Sequence, residues 1–295
     1  MNQKRSKKIK NTAIYYSVRA AMRLVGQTPG FAVPYTARWL GGIAYLVARR
    51  ERQIAISQLS AHTALRGHPR LAKQVTRGVF NHLSESVIEL CRLIVHPNNR
   101  PQVFIPQRSR CALNEALSLN KGVIFITGHI GNWELMAIHL ADLGFPIHTM
   151  ARASYDNRFT RLIQRERERF GVHAIYRGQP GVTAKMVRAL KQGQILGVLI
   201  DQDTSVNSVF VPFFNEDANT PSGAAAFAIR TQTPVVLGTI KRKRTGAHRI
   251  DIEQVQLPDD VTEATALLTR KLEERIRKQM SQWVWFHQRW KTKQP

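Results

Sequence analysis

Acidic residues are scarce in this 295-residue chain, with 20 Asp and Glu against 44 Lys and Arg. The net charge of +24 calls for an anionic partner, whether nucleic acid, anionic lipid or an acidic protein. Residues 1–50 hold ten Lys or Arg and no acidic residue at all. Cysteine is nearly missing too. Cys91 and Cys111 are the two present, which fits neither a disulfide framework nor zinc-ligand spacing, so both read as packing residues in a reducing compartment. No spacing suggests a metal site or a cofactor. The chain also lacks any uncharged apolar stretch of about 18 residues, the length that would span a bilayer, because Arg19, Arg23 and Arg38 interrupt. It has no signal-peptide core with a small-residue cleavage site, no repeat, no low-complexity linker and no nucleic-acid-binding fingerprint.

What is there is ordinary globular composition, 43% hydrophobic and 22% charged, with length enough for one large α/β domain. Residues 1–48 stand apart as a basic amphipathic appendage. Lys4, Arg5, Lys7, Lys8 and Lys10 form a charged head expected to be disordered when free. Residues 11–48 then read as two helices, broken between at Pro29, Gly30 and Pro34, that lie in or against a membrane interface.

Residues 49–295 form the second unit. Helices are expected over 50–60 and, opened by Pro69, over 69–94, where Glu85 and Glu89 share one face as surface or core-edge carboxylates. From there helix and strand alternate. Strands are expected at 123–126, 146–150, 172–176, 195–200, 234–240 and, at an edge, 250–254; helices are expected at 109–119, 133–143, 156–170, 182–191, 221–230 and 262–279. This order predicts an α/β fold with a mostly parallel central sheet and helices on both faces.

The stretch from Gly122 to Glu134 carries the chemistry. Val123 to Ile126 is a β-branched and aromatic run, the mark of a strand buried on both faces. It runs into His129, and Asn132 is a fitting N-cap for a helix whose first turn holds Glu134. Open α/β sheets put their chemistry at this carboxyl end of a strand. A carboxylate at a helix N-terminus stays ionised and can hold one imidazole nitrogen as N–H, leaving the other as a base. His129 and Glu134 are therefore the candidate catalytic pair. Arg152, Asp201 and Asp203 each follow a strand and converge on the same sheet edge; the guanidinium can take phosphate or carboxylate oxygens bidentately. The apolar run Val209 to Phe214, with Phe213 and Phe214, divides between core and the contiguous apolar wall that a slot for a long alkyl chain would need. Trp283, Trp285 and Trp290 read mainly as packing, with Arg289 and Lys291 as an anion-binding rim.

Gly128-His-Ile-Gly-Asn-Trp-Glu134, Ala151-Arg152 with Asn157, Asp201-Gln-Asp203, Val211-Pro-Phe-Phe214, Thr220-Pro-Ser-Gly223 and Trp283-Val-Trp-Phe-His-Gln-Arg-Trp-Lys291 occur in one order along most of the chain. Together they resemble the lipid A secondary (late) acyltransferases of the lysophospholipid acyltransferase superfamily. Asn215 departs from the glycine usual after the Phe pair, a position where Asn also tolerates a left-handed backbone. The resemblance implies transfer of a fatty acyl chain from acyl carrier protein to a hydroxyl of a lipid A precursor. His129 and Glu134 would act as general base and its orienting group, with Arg152, Asn157, Asp201, Asp203, Phe213 and Phe214 around the substrate. It implies an enzyme peripheral or monotopic on the cytoplasmic face of the inner membrane, an anionic surface to hold it there, and no nucleic-acid partner. A lysophospholipid or amino-acid lipid acceptor would give similar motifs, and a non-catalytic basic membrane- or nucleic-acid-binding protein is the rival of another class. No Gly-x-Ser-x-Gly elbow suggests a covalent intermediate.

Overall fold

The computed structural model describes residues 2–294, with side chains from Lys10 onward. The amino-terminal part is helical: α1 (Asn2–Gly26), α2 (Val33–Val47), α3 (Arg49–His62) and α4 (Pro69–Val95). The basic head expected to be disordered is instead the start of α1. Then come β1 (Val103–Phe104), α5 (Gln107–Ser118), β2 (Val123–Thr127), α6 (Trp133–Asp142), β3 (Ile147–Ala151), α7 (Asn157–Arg169), β4 (Val172–Tyr176), α8 (Val182–Lys191) and β5 (Ile195–Leu199). After them follow β6 (Ser208–Phe213), β7 (Glu216–Pro221), α9 (Gly223–Thr231), β8 (Val235–Arg242), β9 (His248–Val255) and α10 (Val261–Arg277).

Seven strands form one sheet in the order β1-β9-β8-β2-β5-β3-β4, all paired parallel except β8 with β9. The predicted α/β fold with a mostly parallel sheet is the one present. Its central strand, β2, is wholly buried. Side chains alternate across a strand, so Ile124 and Ile126 join the core under α9 and α10 while Val123 and Phe125 join the core under α5 and α6. Each such side chain contributes about 1.5–3 kcal/mol on full burial. One expectation is corrected. β9 is not at the edge, because the short β1 pairs outside it. Val209 to Phe213 lie in β6, one strand of a separate antiparallel hairpin, β6–β7. Its two-residue turn holds Phe214 and Asn215 at φ 51° and 64°, the left-handed pair that matches hairpin twist.

α1 and α2 lean on α4 through a small apolar cluster of Val33, Ala37 and Ile88, with Val25 and Leu40 beside it. Their other faces are open: Leu24 on α1 is 77% exposed, Tyr35 and Trp39 on α2 are 71% and 66%, and Phe31, between the two helices, is 82%. Among the described residues no helix is long and apolar enough to cross a membrane.

Candidate active site

β2 ends at Thr127 and the chain turns through Gly128-His129-Ile-Gly131 into α6. Asn132 caps that helix, its side-chain oxygen accepting from the Leu135 amide at 3.2 Å. Gly131 sits at φ 64°, and a Cβ there would lie 1.9 Å from the Ile240 carbonyl oxygen, so no side chain is possible. The turn is clamped from outside by the carboxyl-terminal tail. The Gly131 amide donates to the Gln282 carbonyl at 2.8 Å, and the Val284 amide to the His129 carbonyl at 3.2 Å.

Asp201 is the partner of His129. Its Oδ1 is 2.8 Å from His129 Nδ1, and its Oδ2 accepts from the His129 amide at 2.6 Å and from Trp283 Nε1 at 2.8 Å. Burial alone would raise the pKa of this carboxyl; the imidazole beside it and the three N–H donors overcome that and hold it at about 2. The carboxylate is thus ionised and fixes the ring with the proton on Nδ1 and the lone pair on Nε2. Asp201 holds the His129 imidazole, where the expectation had it among the substrate ligands. Glu134 is not at the imidazole. It forms a two-pronged ion pair with Arg167, which donates from Nε at 2.9 Å and from its terminal nitrogen. The expectation that Glu134 orients His129 is therefore corrected: the buried carboxylate of Asp201, two residues past the end of β5, holds the ring.

A cavity of about 600 Å³ opens beside His129 between the sheet, α6, α7 and α9. Met136, Met150, Met186, Val198 and Phe227 are among its apolar walls, and Arg152, Arg167, Arg177 and Arg230 also line it. Large cavities with apolar walls and few convergent polar groups take small or chain-like ligands. Glu134 and Arg152 line it. Asn157, the first residue of α7, is exposed and is not among the lining residues. Phe213 and Phe214 are 1% exposed and pack on Trp283, Trp285 and Trp290, so both belong to the core and neither to the acyl slot. Asp203 is a tail anchor: its carboxylate takes Asn219 Nδ2 and the Thr292 amide, each at 2.9 Å. Arg289, expected on an anion-binding rim, is 1% exposed and gives its terminal nitrogens to Asn219 O and Thr220 Oγ1. Lys291 remains at the surface.

Gln202 and Trp283 reach His129 and Asp201 without having been singled out by sequence reasoning. Gln202 stands between the two aspartates, and its place in that motif was the available signal. For Trp283 the tail composition pointed only to packing. Behind the turn lies a buried ionic cluster. Glu89 on α4 meets Arg242 and, at 3.0 Å, His248, and also accepts from the Asn132 side chain at 2.9 Å. Glu89 is buried, not a surface carboxylate. Burial raises its pKa, yet hydrogen bonds from His248 and Arg242 and the guanidinium charge bring it down to about 2.

A carboxylate-held imidazole beside a cavity with apolar walls, at the carboxyl edge of an α/β sheet, is the arrangement of an enzyme active site, and the class is that of the acyltransferases. The family model of bacterial lipid A biosynthesis acyltransferase matches residues 1–292, and the chain belongs to that family. It is similar to the lipid A biosynthesis palmitoleoyltransferase of Escherichia coli (strain K12), at 25% identity over 259 residues that cover 86% of this chain and 83% of the relative. A lipid A biosynthesis acyltransferase of Shigella flexneri matches with the same identity and coverage.

Proposed function

We propose that this acyltransferase takes its fatty acyl chain from the thioester of acyl carrier protein and transfers it to a hydroxyl of a lipid A precursor with His129 as general base. The observation that carries the mechanism is the ring of His129, held at Nδ1 by Asp201 at 2.8 Å and set beside the apolar cavity. The acceptor oxygen attacks the thioester carbonyl as Nε2 takes its proton; the C–S bond then breaks and the imidazolium returns that proton to the departing thiolate. Asp201 stabilises the transient imidazolium. The acyl chain lies along the apolar wall, where each buried CH2 adds about 0.8 kcal/mol and lets the slot discriminate chain length. Arg152 and its neighbours, with the Glu134–Arg167 pair, receive the anionic headgroup and hold it against the base.

The donor is tested by comparing acyl carrier protein with coenzyme A thioesters. Basic α7 carries Arg161 and Arg165 on its exposed side next to the cavity, a surface suited to an acidic carrier. The carrier-linked donor is expected to react faster, and its advantage to shrink with salt, because charge steering is screened over about 10 Å at 0.1 M ionic strength. Equal rates at every salt concentration would remove the carrier.

Attachment to the cytoplasmic face of the inner membrane is supported by the open apolar faces of α1 and α2, in a segment, residues 1–48, whose sequence holds eight Lys or Arg and no acidic residue. Deleting residues 1–48 is a poor test, since it also bares Ile88 on α4. Phe31→Asp with Trp39→Asp leaves that packing in place and is expected to weaken binding to anionic vesicles in sedimentation. Unchanged binding would locate the attachment elsewhere.

A further inference from the structure

The side chain of Gln202 lies between two imidazoles. Its Nε2 is 3.2 Å from Nε2 of His129 and 2.7 Å from Nε2 of His287, and the two rings meet edge to face with centroids 5.1 Å apart. Asp201 accepts the proton on His129 Nδ1, so the neutral ring offers only a lone pair at Nε2. An amide nitrogen has two hydrogens to donate and accepts nothing. It satisfies both rings when each is neutral and carries its single proton on Nδ1. The surroundings of His287 agree. Burial first, and the nearby His129 second, push its pKa down to about 4 against the opposing pull of Asp201, so this ring is uncharged near neutrality.

We infer that Gln202 is a positioning residue for acyl transfer, bridging His129 and His287 so that the base is held neutral with its Nε2 lone pair available at the cavity. This rests on the reading of His129 as the base. The Gln202 side chain lines the cavity, while His287 belongs to the tail, where its carbonyl is fixed by Gln58 Nε2 at 2.7 Å. The acceptor hydroxyl replaces the Gln202 hydrogen at Nε2, and His287 keeps the amide from swinging away as it does so. Once Nε2 has taken the hydroxyl proton, the Gln202 amide nitrogen beside it offers no acceptor for that hydrogen. That contact favours passing the proton on to the thiolate and restoring the neutral ring. Neither Gln202 nor His287 needs to touch the reacting carbonyl for this.

The test uses the full chain labelled with 15N-histidine, with the two rings assigned through His129→Gln and His287→Gln, and steady-state acyl transfer beside the spectra. Native protein should show both rings neutral and protonated on Nδ1. Gln202→Met, of similar length but without donors, should move the His287 proton to Nε2 and lower kcat about tenfold, the worth of one neutral hydrogen bond, with little change in KM. Gln202→Glu should place a proton on one of the two Nε2 atoms and lower kcat at least as far. An Nε2–H on either ring of native protein, or native kcat in Gln202→Met, would overturn the bridge. Loss of turnover in His129→Ala with native turnover in Gln202→Met removes the bridge alone. Near-native turnover in His129→Ala removes the base, whatever the spectra show.

Discussion

His129→Ala is expected to lower the single-turnover rate of acyl transfer by about 10²–10⁴-fold, the usual worth of general-base catalysis, with the fold intact. The fold survives because the buried Asp201 carboxylate keeps the residue 129 amide and Trp283 Nε1 as donors when the ring is gone. Asp201→Asn should cost more than Glu134→Gln. The amide at 201 cannot stabilise the imidazolium and presents hydrogens to a site where all three partners are donors. Glu134 instead faces Arg167, so its loss acts on the headgroup side of the cavity. If Glu134→Gln is the more damaging of the two, Glu134 regains the role the sequence suggested. A chelator arm separates a metal mechanism, in which the native enzyme would lose activity as its ion is withdrawn.

Arg242→Met is expected to destabilise the protein by about 3–5 kcal/mol, measured by urea unfolding, because it strands the Glu89 carboxylate in the interior. Arg242 is the centre of that cluster: it reaches Glu89, Ser86 and Glu85. Since Glu89 also holds Asn132, the cap of α6 should loosen with it. Arg242→Met with Glu89→Met, which removes both charges, should recover much of the loss. A single variant as stable as native protein would show the cluster to be energetically neutral.

The same region sets the response to acid. His82, packed beneath the turn, has its pKa lowered to about 3, by burial first and by Arg242 second. In the unfolded chain a histidine titrates near 6.5, so below that pH the unfolded state binds a proton the native state refuses. Stability should therefore begin to fall below about pH 6.5, by at most about 1.4 kcal/mol per pH unit for this group, until pH 3. Glu89, depressed to about 2, adds its loss only below about pH 4.5. His82→Gln should flatten the decline between pH 6.5 and 4.5 in urea midpoints; an unchanged slope would mean His82 is already protonated in the native state.

How much of this was legible in the residues follows from how local each feature is. The buried strand 123–127, the turn at Gly128 and Gly131, the Asn132 cap and the helix after it are written in neighbouring side chains, because backbone preference and capping act over a few residues. The basic, apolar amino-terminal segment and the alternation of strand and helix were equally plain. The partner of His129 was not. Glu134 is five residues away along the chain, but the first turn of α6 sets it against Arg167 on α7. Asp201 is 72 residues away and adjacent in space, because β2 and β5 pair in parallel with Thr127 opposite Leu199. One step past that pair the chains still run together, the Ile200 amide donating to the Thr127 carbonyl at 3.2 Å, and the next step brings His129 level with Asp201. Strand order and register are settled by packing the whole sheet, and no local pattern encodes them. The same holds for Phe213 and Phe214, apolar enough for either a slot or a core. The tail folding back with Trp283, Trp285 and Trp290 assigned them to the core, and by carrying His287 to Gln202 it closed the site as well.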